Sequence, residues 1–249
     1  LARNEQRNVN LTPEFILDYD VLGTQPDQHR LKYQGQIVFN ISSDDTDKYY
    51  PGVLVPENWT NSSYNAADAS YNKSHSISTR HTLTFVPHFK NEAHQLQFMA
   101  RYQYNNGNSS NQSVAKRSLP TSSDITSPLT GGVLSNISSG AGEWKSQFFL
   151  FSLHYAIKER YIFDATLRRD GSTKFGPDKR WGNFPGLSFR WNISYEPWME
   201  KFKWINMLSI RPGWGIVGNQ PGGEGLFYSK YQTGGAYMGV TSVIPSNIR

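Results

Sequence analysis

Three ionisable residues sit at spacings that β-hairpins turn into neighbours. His154, Asp164 and Arg190 each occupy the polar position of an apolar–polar alternation. If Lys158-Glu159 makes a tight turn, His154 falls opposite Asp164. A second hairpin through residues 170–182 in matching register then sets Arg190 on the other side of the same carboxylate. Opposite charges that face each other across strands attract. Such a row ties strands together, and in a wet passage it meets a polar substrate. Acid–base catalysis is the other chemistry these residue types allow. A glycosidase needs two carboxylates at a set separation around a sugar, and the spacing of Asp164, Asp170, Asp178 and Glu196 fixes no such pair. The histidines lack the HExxH spacing, and no GxSxG elbow occurs. There is no cysteine, which removes thiolate metal sites and disulfides. The residue types therefore point away from an enzyme, a cofactor or a metal centre.

The elements that would carry these residues are strands of period two. Tyr161, Phe163, Ala165 and Leu167 alternate with Ile162, Asp164, Thr166 and Arg168. Leu187, Phe189, Trp191, Ile193 and Tyr195 alternate with Ser188, Arg190, Asn192 and Ser194, and a third run from Leu208 to Ile216 is broken at Pro212. Upstream, Phe15 to Val21, Leu31 to Ile41, Ile77 to Phe89, Leu96 to Tyr104 and Phe149 to Ile157 read the same way. A period of two gives one apolar and one polar face. About eight strands result. Residues 43–75 and 105–143 are long, polar and rich in Asn and Ser, and read as loops. The tail beyond Gln220 holds no obvious strand.

The connections alternate short and long. Residues 23–30, 90–93, 158–159 and 196–203 are short, whereas 43–75, 105–143 and 170–182 are longer. Transmembrane barrels sort their loops in this way, with short periplasmic turns and long external loops. A Greek-key sandwich has no reason to. No run of about 18 apolar residues exists, so no membrane-crossing helix is expected, which says nothing against a barrel.

Five motifs in fixed order carry a resemblance: Arg168-Arg169-Asp170-Gly171-Ser172, Lys174-Phe175-Gly176, Arg180-Trp181-Gly182-Asn183-Phe184-Pro185, Glu196-Pro197-Trp198-Met199 and Gly215-Ile216-Val217-Gly218-Asn219-Gln220. This string resembles the SusC/RagA family of TonB-dependent outer-membrane transporters. The resemblance implies an all-β, antiparallel transmembrane β-barrel, of which residues 1–249 form about eight strands of a larger wall of about 22. It puts the plug domain, the TonB-contacting segment and the signal peptide outside this chain. It implies import of oligosaccharides or peptides across the outer membrane, with a SusD-like surface lipoprotein over the external face, the TonB complex acting through the plug, and outer-membrane lipids around the wall.

By the same assignment Arg168, Arg169, Asp170 and Trp181 lie at the external rim, and Tyr49, Tyr50 and Trp59 in the external loops. His154, Asp164 and Arg190 face the lumen. The contrasting class is a secreted carbohydrate-binding β-sandwich whose loop aromatics stack on sugar rings. It predicts a buried apolar face, where the barrel predicts a lipid-facing one. The net charge of +5 is spread over single polar-face and loop positions, so no nucleic-acid stripe is expected.

Overall fold

The computed structural model describes residues 2–25, 27–51, 65–117, 132–219, 231–238 and 240–245. Strands dominate: β1 (Arg3–Leu11), β2 (Glu14–Leu22), β3 (Arg30–Tyr50), β4 (Ala66–Val86), β5 (His94–Arg117), β6 (Val133–Ile157), β7 (Tyr161–Ser172), β8 (Trp181–Asn192), β9 (Ser209–Ile210) and β10 (Gly213–Gly215). All ten join one sheet, in the order β1-β3-β4-β5-β6-β7-β8-β10. β2 also pairs with β3, and β9 also pairs with β8, so the ten strands fill eight positions. Each doubled position is one strand broken at a proline. Pro13 separates β1 from β2 and Pro212 separates β9 from β10. A proline cannot donate to the ladder. The Pro13 and Pro212 carbonyls still accept from the Phe39 and Phe189 amides, both at 3.0 Å.

The polar N-terminal residues, which show no alternation, form β1, and its register runs from Arg3↔Tyr49 to Leu11↔Ile41. The stretches expected to be long loops are largely strand. β3 continues to Tyr50 and β4 begins at Ala66; β5 continues to Arg117 and β6 begins at Val133. These strands reach 21 to 25 residues. Conversely, the alternation through Ile193 and Tyr195 leaves the sheet, because β8 ends at Asn192 and two 3₁₀ turns, Ile193–Tyr195 and Pro197–Lys201, follow. The tail forms a separate antiparallel pair, β11 (Tyr231–Tyr237) and β12 (Val240–Pro245).

The chain divides into two compact units. The first holds Leu1–Ile16, Gln36–Thr79 and Asn105–Glu143. Its ladder is dressed with polar contacts: Arg117 to Asp68 at 2.7 Å, Ser113 to Ser138 at 2.7 Å and Ser78 to Asn105 at 2.7 Å. Tyr49 and Ala67 form a buried hydrophobic cluster within it, and Ala66 and Ala69 are buried as well. The second unit holds Leu17–Gly35, Arg80–Tyr104 and Trp144–Arg249. It contains the tight turns. Lys158 and Glu159 both have positive φ, 49° and 54°, and the Arg160 amide donates to the Ile157 carbonyl at 2.9 Å, so residues 158–160 close a tight turn between the paired Ile157 and Tyr161. No large side chain among the described residues is fully buried.

Gly23 begins the turn between β2 and β3 at φ +61°, and a Cβ there would sit 2.3 Å from the His29 carbonyl oxygen. Both the left-handed backbone and the clash with main chain penalise any side chain. Gly23→Ala is expected to destabilise by about 2–3 kcal/mol, read as a fall in the urea midpoint. Gly23→Asn should recover only the backbone part.

Candidate functional site

The sheet of the second unit has two chemically distinct faces. On β6, β7 and β8 the register places Ser152 opposite Thr166, His154 opposite Asp164 and Asp164 opposite Ser188. Directly opposed residues point to the same side, so these side chains share one polar face. His154 Nδ1 lies 2.6 Å from Asp164 Oδ1, and Ser188 Oγ donates to Asp164 Oδ2 at 3.1 Å. Further along the same unit, Arg80 donates to Gln103 at 3.1 Å, Arg101 to Thr82 at 3.1 Å and Gln34 to Asp18 at 3.0 Å. Lys32 pairs with Asp18 at 3.3 Å. A sheet face holding half-exposed donors and acceptors already paired across strands is suited to a wet passage, where charges are tolerated and ligands exchange hydrogen bonds.

The expected row of three is therefore corrected at one end. Arg190 falls opposite Ile162, not Asp164, because closing the hairpin with Arg169 opposite Asn183 sets Ser188 across from Asp164. β7 runs on to Ser172 and β8 starts at Trp181, which shortens the connection that carries the Pro177–Lys179 3₁₀ turn. Ser188 takes the place given to Arg190.

The other face is apolar and bare. Tyr155 pairs with Phe163, Leu153 with Ala165, Phe151 with Leu167, Ala165 with Leu187 and Phe163 with Phe189. Phe151, Phe163 and Leu187 are 44%, 45% and 57% exposed. The ring pairs Phe163–Phe189 and Tyr102–Phe149, 4.8 and 4.9 Å apart, pave it. A sandwich would bury this face; here it is open.

The rim residues separate between these faces. Arg168 lies over the Phe148 ring at 4.4 Å and pairs with Asp170 at 2.7 Å. Arg169 lies over the Trp181 ring at 5.0 Å. Gly171 is extended strand rather than a turn: it pairs with Trp181, and a Cβ there would come within 2.8 Å of that ring. Trp181 is the first residue of β8 and stacks on Phe149 on the apolar side, so it is not a loop aromatic. Tyr49 and Tyr50 end β3 rather than lying in a loop, and Tyr49 is buried opposite Arg3. Trp59 lies outside the described residues.

No family model matches the chain. The TonB-dependent receptor SusC of Bacteroides thetaiotaomicron is 41% identical over 76 residues, 30% of this chain and 8% of that receptor. TonB-dependent receptor P39 of Formosa agariphila is 37% identical over 91 residues, 36% of this chain and 9% of the receptor. In the solved RagAB peptide transporter, a chain of 15% identity superposes with a TM-score of 0.64 over 99% of this chain and 26% of its own length. Over about a third of its length the chain is similar to SusC-type TonB-dependent receptors, and its fold is that of the RagAB barrel chain. It spans about a quarter of the length of the solved relative and less of the curated ones. At 15–16% identity the solved structures establish the fold of this chain, an antiparallel barrel wall.

One clamp in this sheet carries no sequence signal beyond the Glu-Pro-Trp-Met motif. Glu196, between the two 3₁₀ turns that follow β8, is buried. Its Oε1 accepts from the Tyr161 hydroxyl at 2.7 Å and the Trp191 indole at 3.0 Å, and Arg160 lies 3.6 Å from Oε2. Tyr161 and Trp191 are register partners with rings stacked at 6.5 Å. The carboxylate thus satisfies the polar tips of two amphipathic rings at the end of the apolar face. The hydrogen bond from Tyr161, then that from Trp191, hold the Glu196 carboxyl below its ordinary range, with Arg160 adding attraction against the opposing effect of burial.

A depressed folded-state pKa makes the charged form the stabilising one. The Glu196 contribution is complete above the ordinary value near 4.5 and is lost as pH falls through the lower folded value. Acidifying from pH 6 should therefore lower the thermal midpoint of the parent more steeply than that of Glu196→Gln, which starts lower and lacks this proton linkage. Parallel pH profiles in the two proteins would remove the clamp from the account.

Proposed function

We propose that this chain is barrel wall of a TonB-dependent importer that carries oligosaccharides or peptides across the outer membrane. The observation that carries the reading is the two-faced sheet. Its bare apolar face matches what lipid requires, and its hydrogen-bonded polar face matches a water-filled lumen. A lipid crossing needs only about 9–11 residues per strand, so strands of 21 to 25 residues extend well beyond the bilayer. The polar extensions in β3 to β6 then stand on the external side, where a SusD-like lipoprotein seats, while the short turns face the periplasm and the TonB complex acts through a plug. His154, Asp164 and Ser188 line the passage, with Arg190 on the same polar face. Tyr50, Arg168 and Asp170 stand toward the external end. RagAB, the fold neighbour, is a peptide importer, which supports peptides as a cargo class beside glycans.

The test is made on the native protein. It should partition with outer membranes, require detergent for extraction, and bring a surface lipoprotein with it on affinity purification. Deleting its gene should abolish growth on one defined class of oligosaccharide or peptide. A protein that stays in aqueous solution without detergent overturns the reading and returns the secreted sugar-binding class.

A further inference from the structure

Residues 193–208 leave the sheet where β8 ends and return to it at β9, where Ser209 pairs with Asn192. The excursion is tightly closed. The Glu196 amide donates to the Ile193 carbonyl at 3.0 Å, that of Met199 to Glu196 at 2.9 Å, that of Phe202 to Met199 at 2.8 Å and that of Ile205 to Phe202 at 3.0 Å. Ile193, Glu196 and Met199 are buried in it. Tyr195, Trp198, Phe202, Trp204 and Met207 nevertheless stand exposed, Trp204 at 80% and Met207 at 75%. A segment ordered enough to bury Ile193 and Met199 thus holds five large apolar side chains in the open, and clustered exposure of this kind marks a surface that meets a membrane or another molecule.

The Glu196 clamp decides on which side of the sheet that surface stands. Tyr161 falls in step with Phe163 on β7, and Trp191 with Leu187 and Phe189 on β8, so both clamp rings belong to the apolar face. By accepting from both, Glu196 ties the two 3₁₀ turns to the apolar side rather than the polar one. Ile210, just after the return, pairs with Trp191 and continues the same side. The exposed rings therefore stand at the turn end of the apolar face. Lys201 and Lys203 flank Phe202 among them. Trp and Tyr rings, and lysines whose stems lie along apolar surface while their heads stay in water, are the side chains favoured at a membrane interface.

We propose that residues 195–207 form a membrane-surface anchor beyond the last paired residues of the wall. Trp198, Phe202, Trp204 and Met207 enter the boundary between headgroups and acyl chains of the phospholipid leaflet on the periplasmic side, and Lys201 and Lys203 stay at headgroup level. The occupant is the leaflet rather than a protein, because the segment is clamped to the face that the barrel reading gives to lipid and is continuous with it. The inference rests on that reading.

The test uses the full-length receptor on a background without other cysteines. Trp204→Cys, and Met207→Cys as a second position, are labelled with the environment-sensitive dye NBD and reconstituted into vesicles of phosphatidylethanolamine and phosphatidylglycerol. Heat-modifiable gel migration selects folded receptor before measurement. The expected result at both positions is a blue-shifted emission that is lost to nitroxide carried on lipid near the headgroup and kept in aqueous iodide. Loss to iodide without loss to lipid nitroxide overturns the anchor in favour of a turn in water. Protection from both quenchers overturns it in favour of a protein contact, a second copy included. Phe163→Cys on the apolar face and Ser152→Cys on the polar face carry the same label as references. If the label at 163 is quenched from deep in the lipid while those at 204 and 207 are quenched from water, the anchor alone falls. If the label at 163 is itself quenched by iodide, the barrel reading beneath it falls.

Discussion

On the proposed barrel-wall reading, residues 1–249 expressed alone behind an export signal are expected to give no folded species in the outer membrane, whereas a full-length receptor containing them would. The cause is the pair of open edges. Among the described residues, β1 and β2 pair only with β3, and β9 and β10 only with β8. Over a crossing of about ten residues, roughly half of the backbone N–H and C=O groups on each edge strand point away from the sheet. Each such group left unpaired in hydrocarbon costs several kcal/mol. Two edges together exceed the whole stability of about 5–15 kcal/mol that a folded domain commands. The readout is the heat-modifiable band in outer-membrane fractions, present for the receptor and absent for the isolated segment. A folded band from the isolated segment would mean that eight strand positions close on themselves as a small barrel, and the larger wall would be abandoned.

The second large effect concerns which solvent each face meets. Leu153, Phe163 and Leu187 lie on the apolar face in adjoining strands. In lipid, replacing any of them by Arg in the full receptor costs about 2–4 kcal/mol near the bilayer midplane. In water the same exposed positions would tolerate Arg within about 0.5 kcal/mol. Ser152→Arg and Thr166→Arg on the polar face are the matched controls, expected to cost well under about 1 kcal/mol because a wet lumen solvates the charge. Urea titration of receptor refolded into lipid vesicles separates the cases. If the two faces respond alike, the apolar face does not meet lipid, whatever its appearance.

Both experiments draw on features that differ in how legible they are in the sequence. Where a strand has one face against an apolar medium and one against water, the period-two pattern marks it without help. Tyr161 to Leu167, Leu96 to Tyr104 and Phe149 to Ile157 were readable for that reason, and they appear in β7, β5 and β6. The tight turn at Lys158-Glu159, and with it the pairing of His154 with Asp164, followed from the short gap between two such runs. The ordered motifs from Arg168 to Gln220 pointed to the family.

Other features required the assembled sheet. β1 and the distal parts of β3 to β6 carry Asn, Ser, Asp and Thr on both faces. These strands are held by backbone ladders and side-chain hydrogen bonds rather than by burial of one face, so no alternation exists to be read. The reverse error occurred at Ile193 and Tyr195, where an alternating pattern continues into 3₁₀ turns because Ile193 is buried there and Glu196 gathers Tyr161, Trp191 and Arg160. The partner of Asp164 was a matter of register. Pairing Arg169 with Asn183 across that hairpin sets Ser188 rather than Arg190 opposite Asp164. Trp181 reads equally well as a loop aromatic or a strand residue. It becomes part of the apolar face because Gly171, on the neighbouring strand, leaves space for its ring, a complementarity between two chains of backbone that neither segment records alone.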